Sequence, residues 1–219
     1  MTQAAAPLDE LQITATALVP EIKLYLAEDP IIFWARLEAN AKTSGPPPFW
    51  ASAWPGGQAL ARYLLDHPQS VGGKRVLDIA SGCGMTAIAA ARAGAATVTA
   101  NDIDPDALTA IAVNAAMNGV DVVLLGGDLL REQVDPFDVV IAGDALYAPG
   151  LATELMRFLR VQVSAGSHVL LGDPGRGHLP HDDLCLLATY PIADSVHGDA
   201  EIDQASVYLF TGSHPTSVA

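Results

Sequence analysis

From Arg75 onward the chain alternates two kinds of apolar pattern. Short runs rich in Val, Ile and Leu are separated by alanine-rich stretches with helical spacing. The pattern predicts strands at 75–79, 97–102, 121–125, 137–142 and 168–172, and helices at 85–94, 105–118 and 149–163. Alternation of this kind implies a mostly parallel sheet with helices on both faces, an α/β fold. After Pro174 the pattern changes. Leu186–Val196 and Ser206–Phe210 read as two further strands, expected to form an antiparallel pair at the sheet edge.

The N-terminal part reads differently. Residues 1–44 are expected to form an extension, 45–213 the main domain and 214–219 a frayed tail. Within the extension, Val19–Leu26 alternates like a strand and Ile31–Ala41 has helical spacing. The segment Gly45-Pro46-Pro47-Pro48-Phe49-Trp50 is stiff, and its prolines exclude a central strand. Gly57–Leu65 reads as a helix that stops near His67-Pro68.

Composition narrows the setting. At 219 residues, half of them hydrophobic, the chain supports one sizeable core and is expected to act as a monomer. Its net charge of −14 argues against a nucleic-acid partner and favours a protein partner with exposed lysines. Cys83 and Cys185 imply no disulfide framework. Met1–Glu10 lacks a secretory n-region, and no apolar run reaches membrane-spanning length, so a cytoplasmic protein without membrane association is expected. The six histidines are scattered and complete no zinc pattern, so no metal is expected.

The chemistry concentrates in Val76-Leu77-Asp78-Ile79-Ala80-Ser81-Gly82-Cys83-Gly84. A strand carrying an acid runs into a Gly-x-Gly turn and then a helix, whose start offers unpaired N–H groups. Asp78 would repel a pyrophosphate, whereas it could accept a hydrogen bond from a methionyl ammonium. The loop therefore favours S-adenosylmethionine over a dinucleotide. Asp102, at the end of the next predicted strand, is placed to accept both ribose hydroxyls, while Asp104 caps the following helix. Asp128 and Leu129 follow the third strand, where they would meet the adenine amine and ring. Gly82, Gly84, Trp54 and Gly56 complete the expected cofactor set.

The acceptor side is expected at Asp144-Ala145-Leu146-Tyr147, after the fourth strand. Asp144 would orient an incoming ammonium, and Tyr147 would pack beside the sulfonium or fix the amine. Trp50, together with Arg176 in Gly172-Asp173-Pro174-Gly175-Arg176-Gly177, is expected to contact substrate.

The run from Pro48 to Gly177 resembles the lysine methyltransferases of the electron transfer flavoprotein beta subunit. The resemblance rests on Phe49-Trp50-Ala51, Trp54-Pro55-Gly56-Gly57-Gln58-Ala59-Leu60, Val76–Ala90, Ala100–Pro105, Asp144-x-x-Tyr147 and Gly172–Arg176. It implies a seven-strand Rossmann-like sheet, S-adenosylmethionine as methyl donor, and methylation of beta-subunit lysines. It carries Asp78, Gly82 and Asp102 over as cofactor residues and Asp144 as the residue positioned for the target lysine. Animal members carry a mitochondrial leader, so the resemblance points to a bacterial-type member. Ribosomal or other lysine-rich proteins, small molecules, and a role as a non-catalytic binding module are the alternatives.

Overall fold

The computed structural model describes residues 10–41, 45–193 and 202–212. The expected frayed tail lies outside them, as does the end of the strand predicted to reach Val196. Two short strands, β1 (Gln12–Thr14) and β2 (Leu24–Leu26), pair antiparallel and precede helix α1 (Pro30–Ala41). Helix α2 (Pro55–Asp66) follows the proline segment. The alternating part then runs β3 (Arg75–Ile79), α3 (Met85–Arg92), β4 (Thr97–Asp102), α4 (Pro105–Met117), β5 (Val123–Gly126), β6 (Val139–Gly143), α5 (Pro149–Ser164) and β7 (His168–Asp173). It closes with β8 (Leu184–Pro191) and β9 (Gln204–Phe210).

The main sheet has seven strands in the order β5-β4-β3-β6-β7-β9-β8. Strands β3 to β7 are parallel, and β9 enters antiparallel between β7 and β8. This is the mostly parallel α/β sheet with an antiparallel edge that the hydrophobic pattern predicts.

Its two faces follow from the period-2 alternation of side chains. Val76, Val139, Ile141 and Leu170 pack on one face with α2 and α3. Their neighbours Leu77, Val140, Val169 and Leu171 pack on the other face against α5. Both faces are covered, so the central strands are apolar almost without interruption. Helix α4 starts at Pro105, where a missing N–H costs little, and Asp104 caps it by accepting from the Asp106 N–H at 2.9 Å.

The extension departs from its expected form. Only Leu24–Leu26 of the alternating Val19–Leu26 run is a strand, because its partner Gln12–Thr14 is three residues long. Val19 and Ile22 are buried in the main core instead. Phe33 of α1 meets Trp50 edge-on, with ring centroids 5.9 Å apart, above Ala107 and Ala110 of α4.

One contact fixes the position of α2. Gly56 and Gly172 touch backbone to backbone: a Cβ on Gly172 would lie 2.0 Å from the Gly56 oxygen, and one on Gly56 would lie 2.4 Å from the Gly172 oxygen. No side chain fits there. Gly172→Ala is therefore expected to cost more than about 3 kcal/mol in urea unfolding. Gly57→Ala is the control, since a Cβ at Gly57 meets nothing within 4 Å. That change should leave stability equal or raise it by up to about 1 kcal/mol. Equal stabilities for the two variants would remove the glycine contact as a constraint.

Candidate active site

The strand order reverses between β3 and β6. Connections leave these neighbours in opposite directions, and the carboxyl ends there border a crevice. The crevice is a cavity of about 520 Å³. Its walls come from the loops after the parallel strands and from the segment between Pro46 and Trp54.

At one side of the cavity lies the glycine loop. Ala80, Gly82 and Gly84 all have positive φ, at 53°, 57° and 82°. For Ala80 that conformation costs roughly 1–2 kcal/mol, which the surrounding contacts must offset. Asp78 supplies two of those contacts. Its Oδ2 accepts from the Ser81 hydroxyl at 2.5 Å and from the Thr86 hydroxyl at 2.6 Å, tying the loop to the first turn of α3. Asp78 is wholly buried and is not part of the cavity wall. Through these two bonds it shapes the loop from behind. Burial pushes its carboxyl up to about 6, partly offset by Ser81 and Thr86.

Gly84 is also set back. Its positive φ turns the chain into α3, and a Cβ there would come within 3.2 Å of Ile111. It allows close packing of the loop against α4. Gly82 does line the cavity. A Cβ on it would have only the Trp50 Cα nearby, at 3.9 Å.

Asp102 ends β4 and faces the cavity. Its Oδ2 accepts from the Gly82 N–H at 2.9 Å and its Oδ1 from the Asp104 N–H at 3.0 Å. Each oxygen keeps a second lone pair, which suits a vicinal diol. Burial holds this carboxyl above its ordinary value despite those N–H groups. Leu129 adds an apolar wall. Asp128 lines the cavity too, but it already accepts from the Leu130 N–H at 3.2 Å and pairs with Arg131 at 3.1 Å.

The other end of the cavity is built around Asp144. This residue follows β6 with φ at 58°, a left-handed conformation that Asp adopts more readily than most residues. Its N–H donates to the Gly172 oxygen at 2.8 Å, and its Oδ2 accepts from the Gly56 N–H at 2.7 Å. Its Oδ1 accepts from Arg176 Nε. Gly56 is buried, lies outside the cavity wall and holds Asp144 through its N–H.

Phe49, Trp54 and Tyr147 line the cavity with Asp144 and Arg176. Arg176 Cζ lies 5.5 Å from the Trp54 ring centroid. Phe49 stands 6.0 Å from Trp54 and 5.2 Å from Tyr147, centroid to centroid. The Trp54 indole donates to the Phe49 oxygen at 2.7 Å. Burial and the Asp102 charge raise the Tyr147 phenol, so it stays neutral. Trp50 lines the cavity but is only 2% exposed, packed between Phe33 and the glycine loop. It is a wall beside Gly82 rather than an open substrate platform.

Three polar residues were not anticipated. Asn101 donates to the Leu125 and Gly127 oxygens at 2.7 and 3.0 Å, holding the loop after β5 against β4. Asn114 is fully buried. It donates to the Cys83 oxygen at 2.8 Å and accepts from the Tyr25 N–H at 2.7 Å. Asp173 Oδ1 accepts from the N–H groups of Gly175 and Arg176, at 2.6 and 3.0 Å. Asn114 had a readable signal, a carboxamide on the alanine face of its helix.

The model of the ribosomal protein L11 methyltransferase family (PrmA) matches residues 59–156. The electron transfer flavoprotein beta subunit lysine methyltransferase of Rattus norvegicus is 41% identical over 198 residues, 87% of this chain and 77% of that protein. The Homo sapiens counterpart is 40% identical over 194 residues, 85% of this chain and 73% of that protein. Among solved structures, magnesium protoporphyrin IX methyltransferase from Synechocystis PCC 6803 with bound SAM is 18% identical. It superposes with a TM-score of 0.51 over 70% of this chain and 77% of that one, a likeness of fold alone.

The raised Asp78 carboxyl has a consequence for stability. The folded chain holds a proton there that the unfolded chain has lost, between the ordinary value of 3.8 and about 6. Stability from this group therefore falls as pH rises through that window and is flat above it. Asp78→Asn should lack the slope. The stability difference between wild type and variant should change by up to about 3 kcal/mol between pH 4 and pH 6.5 in urea unfolding. Parallel curves across that range would mean that Asp78 titrates normally.

Proposed function

This chain belongs to the family of electron transfer flavoprotein beta subunit lysine methyltransferases, and we propose that it methylates lysine side chains of such a beta subunit, with S-adenosylmethionine as the methyl donor. The observation that carries the reading is the two-ended cavity. A diol-binding carboxylate, Asp102, stands beside the glycine loop, and a second carboxylate, Asp144, stands among aromatic rings. The donor set fits the nucleoside. Asp102 keeps acceptor sites for the ribose hydroxyls, Gly82 leaves space that a side chain would fill, and Leu129 offers an apolar surface for a ring. When bound, S-adenosylmethionine supplies an electrophilic methyl group on a positively charged sulfur.

The chain's own residues do the rest by positioning. A lysine must lose a proton before its nitrogen can attack, and the freed proton passes to water at the open side of the cavity. Asp144 accepts from the incoming ammonium and sets the direction of the Nζ atom. It can hold this position because the Gly56 N–H fixes its other oxygen. Phe49, Trp54 and Tyr147 enclose the alkyl stem and exclude water. The net charge of −14 favours approach of a lysine-bearing surface.

Methylation of ribosomal proteins is the second reading, favoured by the family model over 59–156. That match stops before β7 and therefore before Asp173 and Arg176. The flavoprotein relatives align over most of this chain, the acceptor end included.

Recombinant electron transfer flavoprotein incubated with this protein and S-adenosylmethionine should gain mass in steps of about 14 Da on beta-subunit lysines. Asp102→Ala should weaken donor binding at least about tenfold by calorimetry, through two lost charge-assisted hydrogen bonds. Asp144→Ala should bind donor as wild type does but transfer methyl at least about 100-fold more slowly. Donor binding without any mass gain on the flavoprotein would reject the substrate, and full activity of Asp144→Ala would reject the role given to that carboxylate.

A further inference from the structure

The carboxylate that orients the target amine is already held by a cation. Among the described residues, the cavity wall carries five carboxylates, Asp102, Asp104, Asp128, Asp144 and Glu154, and one basic side chain, Arg176. That one base lies at the acceptor end. Its Nε donates to Asp144 Oδ1 and its Cζ lies over Trp54. The Asp144 side chain is only 2% exposed, so a cationic neighbour stabilises its charge in the resting enzyme. A carboxylate beside an indole face is also the chemistry that recognises an alkylammonium ion.

The two oxygens of Asp144 differ in what they can give up. Oδ2 is held by the N–H of Gly56, whose backbone is locked against Gly172. Oδ1 is held by a side chain, and a side chain can rotate away. The Arg176 backbone stays anchored meanwhile, since Asp173 accepts from the N–H groups of Gly175 and Arg176. Gly175 and Gly177 flank Arg176 with φ of 95° and 83°. Displacing the guanidinium therefore needs a change of rotamer and leaves β7 where it is.

We propose that Arg176 occupies the target-lysine subsite in the resting enzyme as an internal stand-in for the substrate cation, and that a substrate lysine enters by exchanging with it at Asp144 Oδ1. This rests on the reading of Asp144 as the residue that positions the lysine. The exchange replaces one cation by another, so the buried carboxylate is not left bare as the lysine enters. It also makes Arg176 a specificity residue. A neutral side chain cannot replace the guanidinium on Asp144, so only a cationic one opens the subsite.

The test uses n-butylammonium as probe, titrated by NMR at constant ionic strength into the full chain, with neither donor nor protein substrate present. Arg176→Ala should bind it about tenfold more tightly than wild type, and Arg176→Ala combined with Asp144→Asn should lose that gain. Should Arg176→Ala fail to fold, Arg176→Gln keeps a neutral donor near Asp144 and should show the same direction of change. In methyl transfer, Arg176→Ala should lower the KM for the protein substrate, and n-butylammonium should inhibit it competitively. Equal probe binding by wild type and the Arg176 variants overturns the proposal. So does a raised KM in Arg176→Ala, which would make Arg176 a support for Asp144. The binding arm needs no methylation, so a wrong protein substrate would leave its outcome intact.

Discussion

The site depends on a backbone contact with no side chain in it, the junction of Gly56 with Gly172. Because both residues lack a Cβ, the first turn of α2 comes down onto the carboxyl end of β7. Two hydrogen bonds then become possible at once. The Gly172 oxygen accepts from the Asp144 N–H, and the Gly56 N–H donates to Asp144 Oδ2. The left-handed backbone of Asp144 is thereby fixed from two sides, which is how a residue persists in a conformation that costs energy. Trp54, two residues before Gly56, is carried to the cavity by the same placement. The acceptor end is a product of helix–strand approach more than of any one reactive group.

The two ends of the cavity treat negative charge differently. Asp78 and Asp102 are both pushed up by burial, and both face N–H or O–H donors rather than a cation. Asp144 is buried as well but is paired with a guanidinium. Asp102 faces the cavity, where a positively charged cofactor brings its own counter-charge, while Asp78 is buried behind the loop and is held by hydroxyl groups. The proposed acceptor end would meet a transient partner, and Arg176 supplies its cation in the structure. The same chemistry, an acid in a poorly solvated wall, thus calls for different neighbours according to how long its partner stays.

Much of the fold was legible because burial on both faces leaves a strong signal. The strands from β3 to β7 read as apolar runs and fell within a residue or two of their predicted bounds. The antiparallel edge was legible as a change of pattern after Pro174. The β1–β2 hairpin was not, since three-residue strands carry too short a period and β1 is exposed along its length. In the site, residue types at strand ends located Asp102, Asp144 and Tyr147 on the cavity wall. Spacing alone does not say which way a side chain points. Asp78 points away from the face on which Leu77 and Ile79 pack, and its hydroxyl partners three and eight residues later hold it inside. Gly56 and Gly84 look like ligand contacts because glycine permits close approach, but what approaches them is the protein itself.

The extension is joined to the glycine loop through one carboxamide. Asn114 accepts from the Tyr25 N–H of β2 and donates to the Cys83 oxygen, so one buried side chain satisfies a backbone group on each. The Ala27 N–H donates to the Ala51 oxygen at 2.9 Å, and Phe33 backs Trp50, whose Cα lies against Gly82. Removing the hairpin and α1 would leave the Asn114 oxygen without that donor and uncover the side of Trp50 that Phe33 backs. Buried polar groups that lose a partner cost far more than a typical hydrogen bond contributes. The loop that shapes the cofactor end therefore takes part of its order from residues some fifty positions upstream in sequence. It follows that the extension backs a wall of the cavity from outside, through Phe33 on Trp50 and Asn114 on the glycine loop, and is coupled to the sheet through α4.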